Sequence, residues 1–153
     1  MRAPVVAESL HRSPIAGRRR PTLALVSADS RRTRGAIGES LAERHLVTAG
    51  YSVLERNFRT RYGELDLIAC SKHALVFCEV KTRVAGSRGG PPDPLDAIGP
   101  KKRRRLRLMA AQWLAARADE ERPPRATLRF DAIGVTITAG GQLAKLEHVE
   151  DAF

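Results

Sequence analysis

Cysteine is nearly absent from this chain: only Cys70 and Cys78 occur. So small a number excludes a disulfide-stapled secreted domain, and with no signal-peptide pattern a reducing cytoplasm is the expected compartment. Histidine is equally sparse. His11, His45, His73 and His148 are too scattered for a zinc site and are read as surface residues. No apolar run approaches the roughly 18 residues that a membrane-spanning helix needs, so none is expected. No internal repeat is evident, which excludes a solenoid. Negative charge is also short, with 17 Asp and Glu against 27 Lys and Arg, a formal net charge of +10. That balance points to a polyanionic partner such as nucleic acid, or to an anionic membrane surface.

The positive excess is uneven. Residues 1–34 carry eight Arg against Glu8 and Asp29. Residues 1–33, with three prolines and little periodicity, read as a disordered basic arm of the kind that attracts phosphate non-specifically or is a dispensable extension. The remaining residues, 34–153, suit one domain with a single core.

Within that domain a helix is expected from Arg34 to Ala49. Ile37, Leu41, Ala42, His45 and Leu46 recur at three- and four-residue steps, and Gly50 is a natural terminator. Tyr51–Arg59 reads as a strand, Gly63–Cys70 and Ala74–Arg83 as a hairpin, and Val84–Pro100 as a Gly- and Pro-rich mobile loop. A second helix follows from Pro100 to Ala118, with Leu106, Met109, Ala110, Trp113 and Leu114 as its core stripe. Asp119–Arg125 is a charged connector. Thr127–Ile137 returns as a strand, and Leu143–Val149 is a short last strand or an extended tail. The expected order is therefore α-β-β-β-α-β, an α/β (α+β) fold with a mixed sheet and flanking helices.

The hairpin is where charge is out of place. Setting Asp66 opposite Glu79 centres its turn between Lys72 and His73, although that turn lacks the usual Gly. In this register one face carries Leu65, Leu67, Ala69, Val76, Cys78, Val80 and Thr82, and needs a helix against it. The other carries Ile68, Cys70, Leu75 and Phe77, then Glu64, Asp66, Glu79 and Lys81 at its far end. Like charges at cross-strand distance cost roughly 0.2–1 kcal/mol per exposed pair. Either Lys81 pairs with one carboxylate on a solvated face, or Mg²⁺ or Mn²⁺ sits among hard oxygens. Glu39, in the first helix, either complements that helix's N-terminus or leans over the cluster as an outer ligand.

The second helix opens with Lys101, Lys102, Arg103, Arg104, Arg105 and Arg107. Positive charge at a helix N-terminus opposes the macrodipole, so the stretch is either a solvated helix face that bears this cost or, the favoured reading, a phosphate site that removes it.

Several ordered motifs bear a family resemblance. They are GxxGExxA (Gly35, Gly38, Glu39, Ala42), NFR (Asn57–Arg59), GELDLIA (Gly63–Ala69) and VFCEVKTR (Val76–Arg83). Lys102 before an Arg-rich helix, RFD (Arg129–Asp131) and a terminal HVEDAF complete the set. Asp66 followed by Glu79-Val80-Lys81 on the next strand resembles the PD-(D/E)xK nucleases, and the full set resembles the YraN/UPF0102 family of endonuclease-like proteins. The resemblance implies a restriction-endonuclease-like core that hydrolyses DNA phosphodiesters with Mg²⁺ or Mn²⁺. Asp66, Glu79 and the Val80 backbone carbonyl would be direct ligands, with Glu39 acting through water. Lys81 would orient or deprotonate the attacking water. Glu64 is an additional candidate, for a second metal or for an ion pair with Lys81 or Arg83. Lys101–Arg105 and Arg83 would meet nucleic acid. A likeness of layout to archaeal Holliday junction resolvases makes branched DNA the expected substrate, and such action would require a homodimer. The alternative is a nucleic-acid-binding or adaptor domain that does not cleave.

Overall fold

The computed structural model describes residues 23–87, 95, 98–117 and 126–153. Its elements run α1 (Leu23–Thr48), β1 (Ser52–Thr60), β2 (Gly63–Cys70), β3 (Ala74–Val84), α2 (Pro100–Ala116), β4 (Thr127–Ile137) and β5 (Leu143–Val149). The five strands form one sheet in chain order. All neighbours are antiparallel except β3 and β4, which are parallel. A parallel pair cannot be closed by a tight turn, so the chain crosses over through α2 and lays that helix on one face. Helix α1 covers the other.

Two cores result. On the α1 face Ala42 and Leu46 pack on Leu67, Ala69, Val76, Cys78, Val80, Ile133, Val135 and Ile137. On the α2 face Leu106, Met109, Ala110 and Trp113 pack on Leu65, Ile68, Leu75 and Phe77. Strand β3 is covered on both sides, and every residue from Ala74 to Val80 is buried, Glu79 included. Trp113 is the anchor expected of it. Its ring meets Phe77 edge-on at 5.8 Å, and its Nε1–H donates to Glu55 at 2.8 Å.

The expected hairpin register holds. Leu67↔Cys78, Ile68↔Phe77, Ala69↔Val76 and Cys70↔Leu75 are the observed pairs. The turn does without glycine because the Ser71 hydroxyl accepts from the N–H groups of His73 and Ala74 at 3.3 and 3.2 Å. Cys70 and Cys78 lie on opposite faces as free thiols.

Three expectations need correction. First, α1 begins at Leu23, so residues 23–33, read as disordered arm, are helical. Local bonds support this turn by turn: Thr33 Oγ1 donates to the Asp29 carbonyl, and Arg34 Nε to that of Ser30. Second, Leu65 belongs to the α2 face, not to the face of Leu67. The break in alternation coincides with Asn57 on β1, which has φ 51 and lies between the Arg56↔Leu67 and Phe58↔Leu65 pairs. Third, His148 is not a surface residue: its side chain is 10% exposed and bonds a buried carboxylate. Most of the Val84–Pro100 loop and the Asp119–Arg125 connector fall outside the described residues, as do residues 1–22.

Candidate active site

The β2–β3 pairing ends at Leu67↔Cys78. Beyond it a side chain takes over from the ladder, and the Val80 N–H donates to Asp66 Oδ2 at 2.7 Å. The N–H and C=O of one strand residue point toward the same neighbour, so the Val80 carbonyl faces the same gap. The strands part here, and Asp66 and Glu79 project from the two sides of the opening toward α2.

Glu79 is 1% exposed. Its Oε1 accepts from Lys81 Nζ at 2.5 Å. Its Oε2 lies 2.9 Å from Lys102 Nζ, an ion pair by distance, yet the geometry is not that of a hydrogen bond, and among the described residues this buried oxygen has no hydrogen-bond partner. A buried carboxylate oxygen without a directional donor is unusual, because desolvating it is costly. Asp66 shows the same stress. Burial, and then the charge of Glu79, push its pKa up to about 7 against the opposing pull of the Val80 N–H, Lys102 and Lys81.

Glu39 approaches from α1. That approach depends on Gly38, where a Cβ would stand 1.8 Å from Thr82 Oγ1 on β3. Only glycine lets the helix lie this close to the strand. Burial raises the Glu39 pKa, the Asn57 amide lowers it, and the charges of Glu64 and Glu79 raise it again. With its nitrogen toward the surrounding acceptors, that amide donates to Glu39 Oε2 at 3.2 Å and to Glu64 Oε1 at 2.7 Å. Glu64 therefore sits with Glu39, Asn57 and Arg59, whose Nε is 3.1 Å away, and not in one row with Asp66, Glu79 and Lys81 as alternation suggested.

The basic opening of α2 divides by role. Lys102 turns inward to Glu79. Arg103 donates to the Ile98 carbonyl at 3.1 Å and covers the Phe153 ring, and Arg107 covers Phe130. Lys101, Arg104 and Arg105 are exposed. Lys101, Lys102 and Arg105 line an open cavity of about 620 Å³ with Gly99 and Pro100. Arg83 is half-buried on β3, two positions beyond Lys81.

Among the described residues no three His, Cys, Asp or Glu side chains converge as a ready metal cage. The donors do fit a hard cation that retains water: two carboxylates, one with an orphaned buried oxygen, and a backbone carbonyl at an open strand end.

Sequence reasoning missed two residues here. The inward turn of Lys102 was legible, since Lys102, Leu106, Met109 and Trp113 recur at four, three and four residues, the spacing of one helix face. Asn57 left a fainter signal: an Asn inside a strand is a residue that tolerates positive φ.

A mixed sheet between two helices, bearing an Asp and a Glu-x-Lys where two central strands part, defines the restriction-endonuclease-like fold class. The chain belongs to the UPF0102 family. The match to that family, described as "Uncharacterised protein family UPF0102", spans residues 38–135 and so takes in Glu39, Asp66, Glu79, Lys102 and Asp131. A UPF0102 protein of Rhodococcus opacus (strain B4) is 46% identical over 120 residues, covering 78% of this chain and 94% of the relative. One from Mycobacterium sp. (strain KMS) is 48% identical over 118 residues, covering 76% and 82%. One from Frankia casuarinae is 42% identical over 120 residues, covering 78% and 94%.

Proposed function

We propose that the protein is a Mg²⁺- or Mn²⁺-dependent DNA endonuclease acting on branched or flap DNA. The observation that carries this reading is Glu79 Oε2, an oxygen buried beside a second carboxylate with no hydrogen bond of its own. Asp66, Glu79 and the Val80 carbonyl hold the ion, and Glu39 supports it through water. When bound, the ion polarises a phosphoryl oxygen and lowers the pKa of a water. Lys81, two residues along the strand from Glu79, would orient that water, and its positive charge would favour the hydroxide form. Lys101, Arg104 and Arg105 attract the phosphate backbone at the N-terminus of α2, where the helix dipole adds to their charge.

A specific observation favours a second reading, a DNA-binding domain that does not turn over: Lys81 and Lys102 already neutralise Glu79 between them. Incubation with flap, junction and linear DNA at varied Mg²⁺ and Mn²⁺ separates the two. The nuclease reading expects nicking that Asp66→Asn and Glu79→Gln each abolish while DNA binding survives. Binding without cleavage of any substrate in either metal gives the second reading.

A further inference from the structure

The surroundings of Glu79 hold a charge balance that a bound cation would upset. Two carboxylates, Asp66 and Glu79, face two ammonium groups, Lys81 and Lys102. These four are formally neutral when Asp66 is ionised, and Glu39, which feels the charge of Glu79 from the α1 side, adds at most one negative charge, half of what a divalent ion brings. A divalent ion among the carboxylates adds two positive charges to a space that is nearly closed to solvent on the Glu79 side. Such an excess is not tolerated at low dielectric, so one ammonium group must withdraw or an anion must enter.

The two lysines are not equally held. Lys81 makes a short hydrogen bond to Oε1. Among the described residues, Lys102 makes a non-directional ion pair to Oε2, the oxygen a cation would claim, and no hydrogen bond to it. The two side chains are almost equally exposed, 32% for Lys81 and 31% for Lys102, but Lys102 borders the open cavity shared with Lys101 and Arg105. A lysine has a flexible four-carbon stem that can carry its charge from the buried carboxylate to that cavity without moving the helix. Lys102 thus stands between the carboxylate pair and the basic end of α2.

We propose that Lys102 is an exchangeable counter-ion, which neutralises Glu79 while the carboxylate pair lacks its cation and withdraws to the phosphate-facing end of α2 when a divalent ion binds. The inference rests on the reading of Asp66 and Glu79 as metal ligands and adds to it a regulatory step. Metal and Lys102 compete for one oxygen, and metal loading completes the phosphate site. The basic end of α2 is then one positive charge short until the ion is in place.

Mn²⁺ binding to wild type, Lys102→Met, Lys102→Arg and Lys72→Met, followed by electron paramagnetic resonance of the free ion, tests this. Lys102→Met is expected to bind Mn²⁺ about tenfold more tightly than wild type, the scale of one competing charge removed at short range. Lys102→Arg, which keeps the charge, and Lys72→Met, which removes a charge from the exposed β2–β3 turn, are expected to stay near wild type. Unfolding curves establish that each variant is folded. In wild type, amine acylation read by mass spectrometry is expected to rise at Lys102 on adding Mn²⁺ and to stay level at Lys72. Unchanged or weaker Mn²⁺ binding by Lys102→Met, or constant acylation of Lys102, overturns the exchange while leaving the metal site standing. Failure of both wild type and Lys102→Met to bind Mn²⁺ removes the metal site itself and this inference with it.

Discussion

Two buried carboxylates on adjacent strands receive opposite treatment. Asp131 on β4, 0% exposed, is satisfied from every side. Arg129 donates to both its oxygens at 2.8 and 2.9 Å, His148 Nε2 lies 2.8 Å from Oδ2, and the Asp151 N–H donates to Oδ1 at 3.0 Å. Burial alone would raise its pKa, but these bonds more than offset it and hold the carboxyl below its ordinary value. Glu79 on β3, next to Ala132 in the register, has two lysines and one oxygen with no hydrogen bond. Both groups cost desolvation and both have cationic neighbours, but only Asp131 has directional hydrogen bonds on both oxygens. The contrast separates a carboxylate bonded on every side from the one to which the proposed function assigns a cation.

The Asp131 network shows what a structural role requires. Through Arg129 it reaches the Tyr51 hydroxyl at 2.7 Å and Glu150 at 3.1 Å. His148 continues it to His45, 3.2 Å away on α1. It therefore ties the end of the chain, β4 and the first helix together, and none of its members faces α2.

The largest expected effect that sharpens the comparison is on stability. Asp131→Ala leaves Arg129 without its partner in a largely buried setting and is expected to cost about 3–5 kcal/mol in urea unfolding. Glu79→Gln keeps the shape of a side chain hydrogen-bonded on one oxygen only and leaves Lys81 and Lys102 beside Asp66, so its unfolding midpoint is expected to fall much less. Equal losses would abolish the distinction.

Next in size is Gly38→Ala, which puts a methyl into Thr82. It is expected to destabilise by about 1–3 kcal/mol, as overpacking does. It should also lift α1 off β3 and reduce metal affinity through Glu39; the paired change with Thr82→Gly is expected to restore part of both. Asn57→Ala removes the two donors that hold Glu39 and Glu64 together. A loss of about 1 kcal/mol is expected, the worth of such hydrogen bonds, with a further rise in the Glu39 pKa measurable by carboxyl NMR titration.

The smallest effect concerns pH. Burial, and then the neighbouring His148, lower the pKa of His45 below its ordinary 6.5. The unfolded chain therefore takes up this proton first as pH falls, and the unfolded state gains. Stability from this group is complete above pH 6.5 and declines as pH drops from there through the folded value. His45→Gln is expected to flatten that decline in unfolding experiments between pH 7 and pH 5.

How much of this was legible in the sequence follows from the range of the interactions. The hairpin register was legible because alternation and a two-residue turn are local, and Asp66 and Glu79 came with it. The side taken by Glu64 was not, because Leu65 and Leu67 pack on opposite faces of the sheet and no pattern in β2 announces that break in alternation. The start of α1 was not legible because the polar run Asp29–Arg34 separates the apolar residues Leu23–Val26 from the stripe that begins at Ile37, so no helical period joins the two. Arg129, Asp131 and His148 stood in recognisable motifs, but their joint role depends on β5 lying beside β4. The buried end of Lys102 was within reach of simple helical spacing and was masked by five basic residues in a row.

The most direct test of the central claim is a Mn²⁺ titration of wild type, Glu79→Gln and Asp131→Asn at pH 8, above the value near 7 at which Asp66 gives up its proton. One specific ion per chain is expected in wild type and in folded Asp131→Asn, and none in Glu79→Gln. Specific binding that survives Glu79→Gln, or that is absent from wild type, would contradict it.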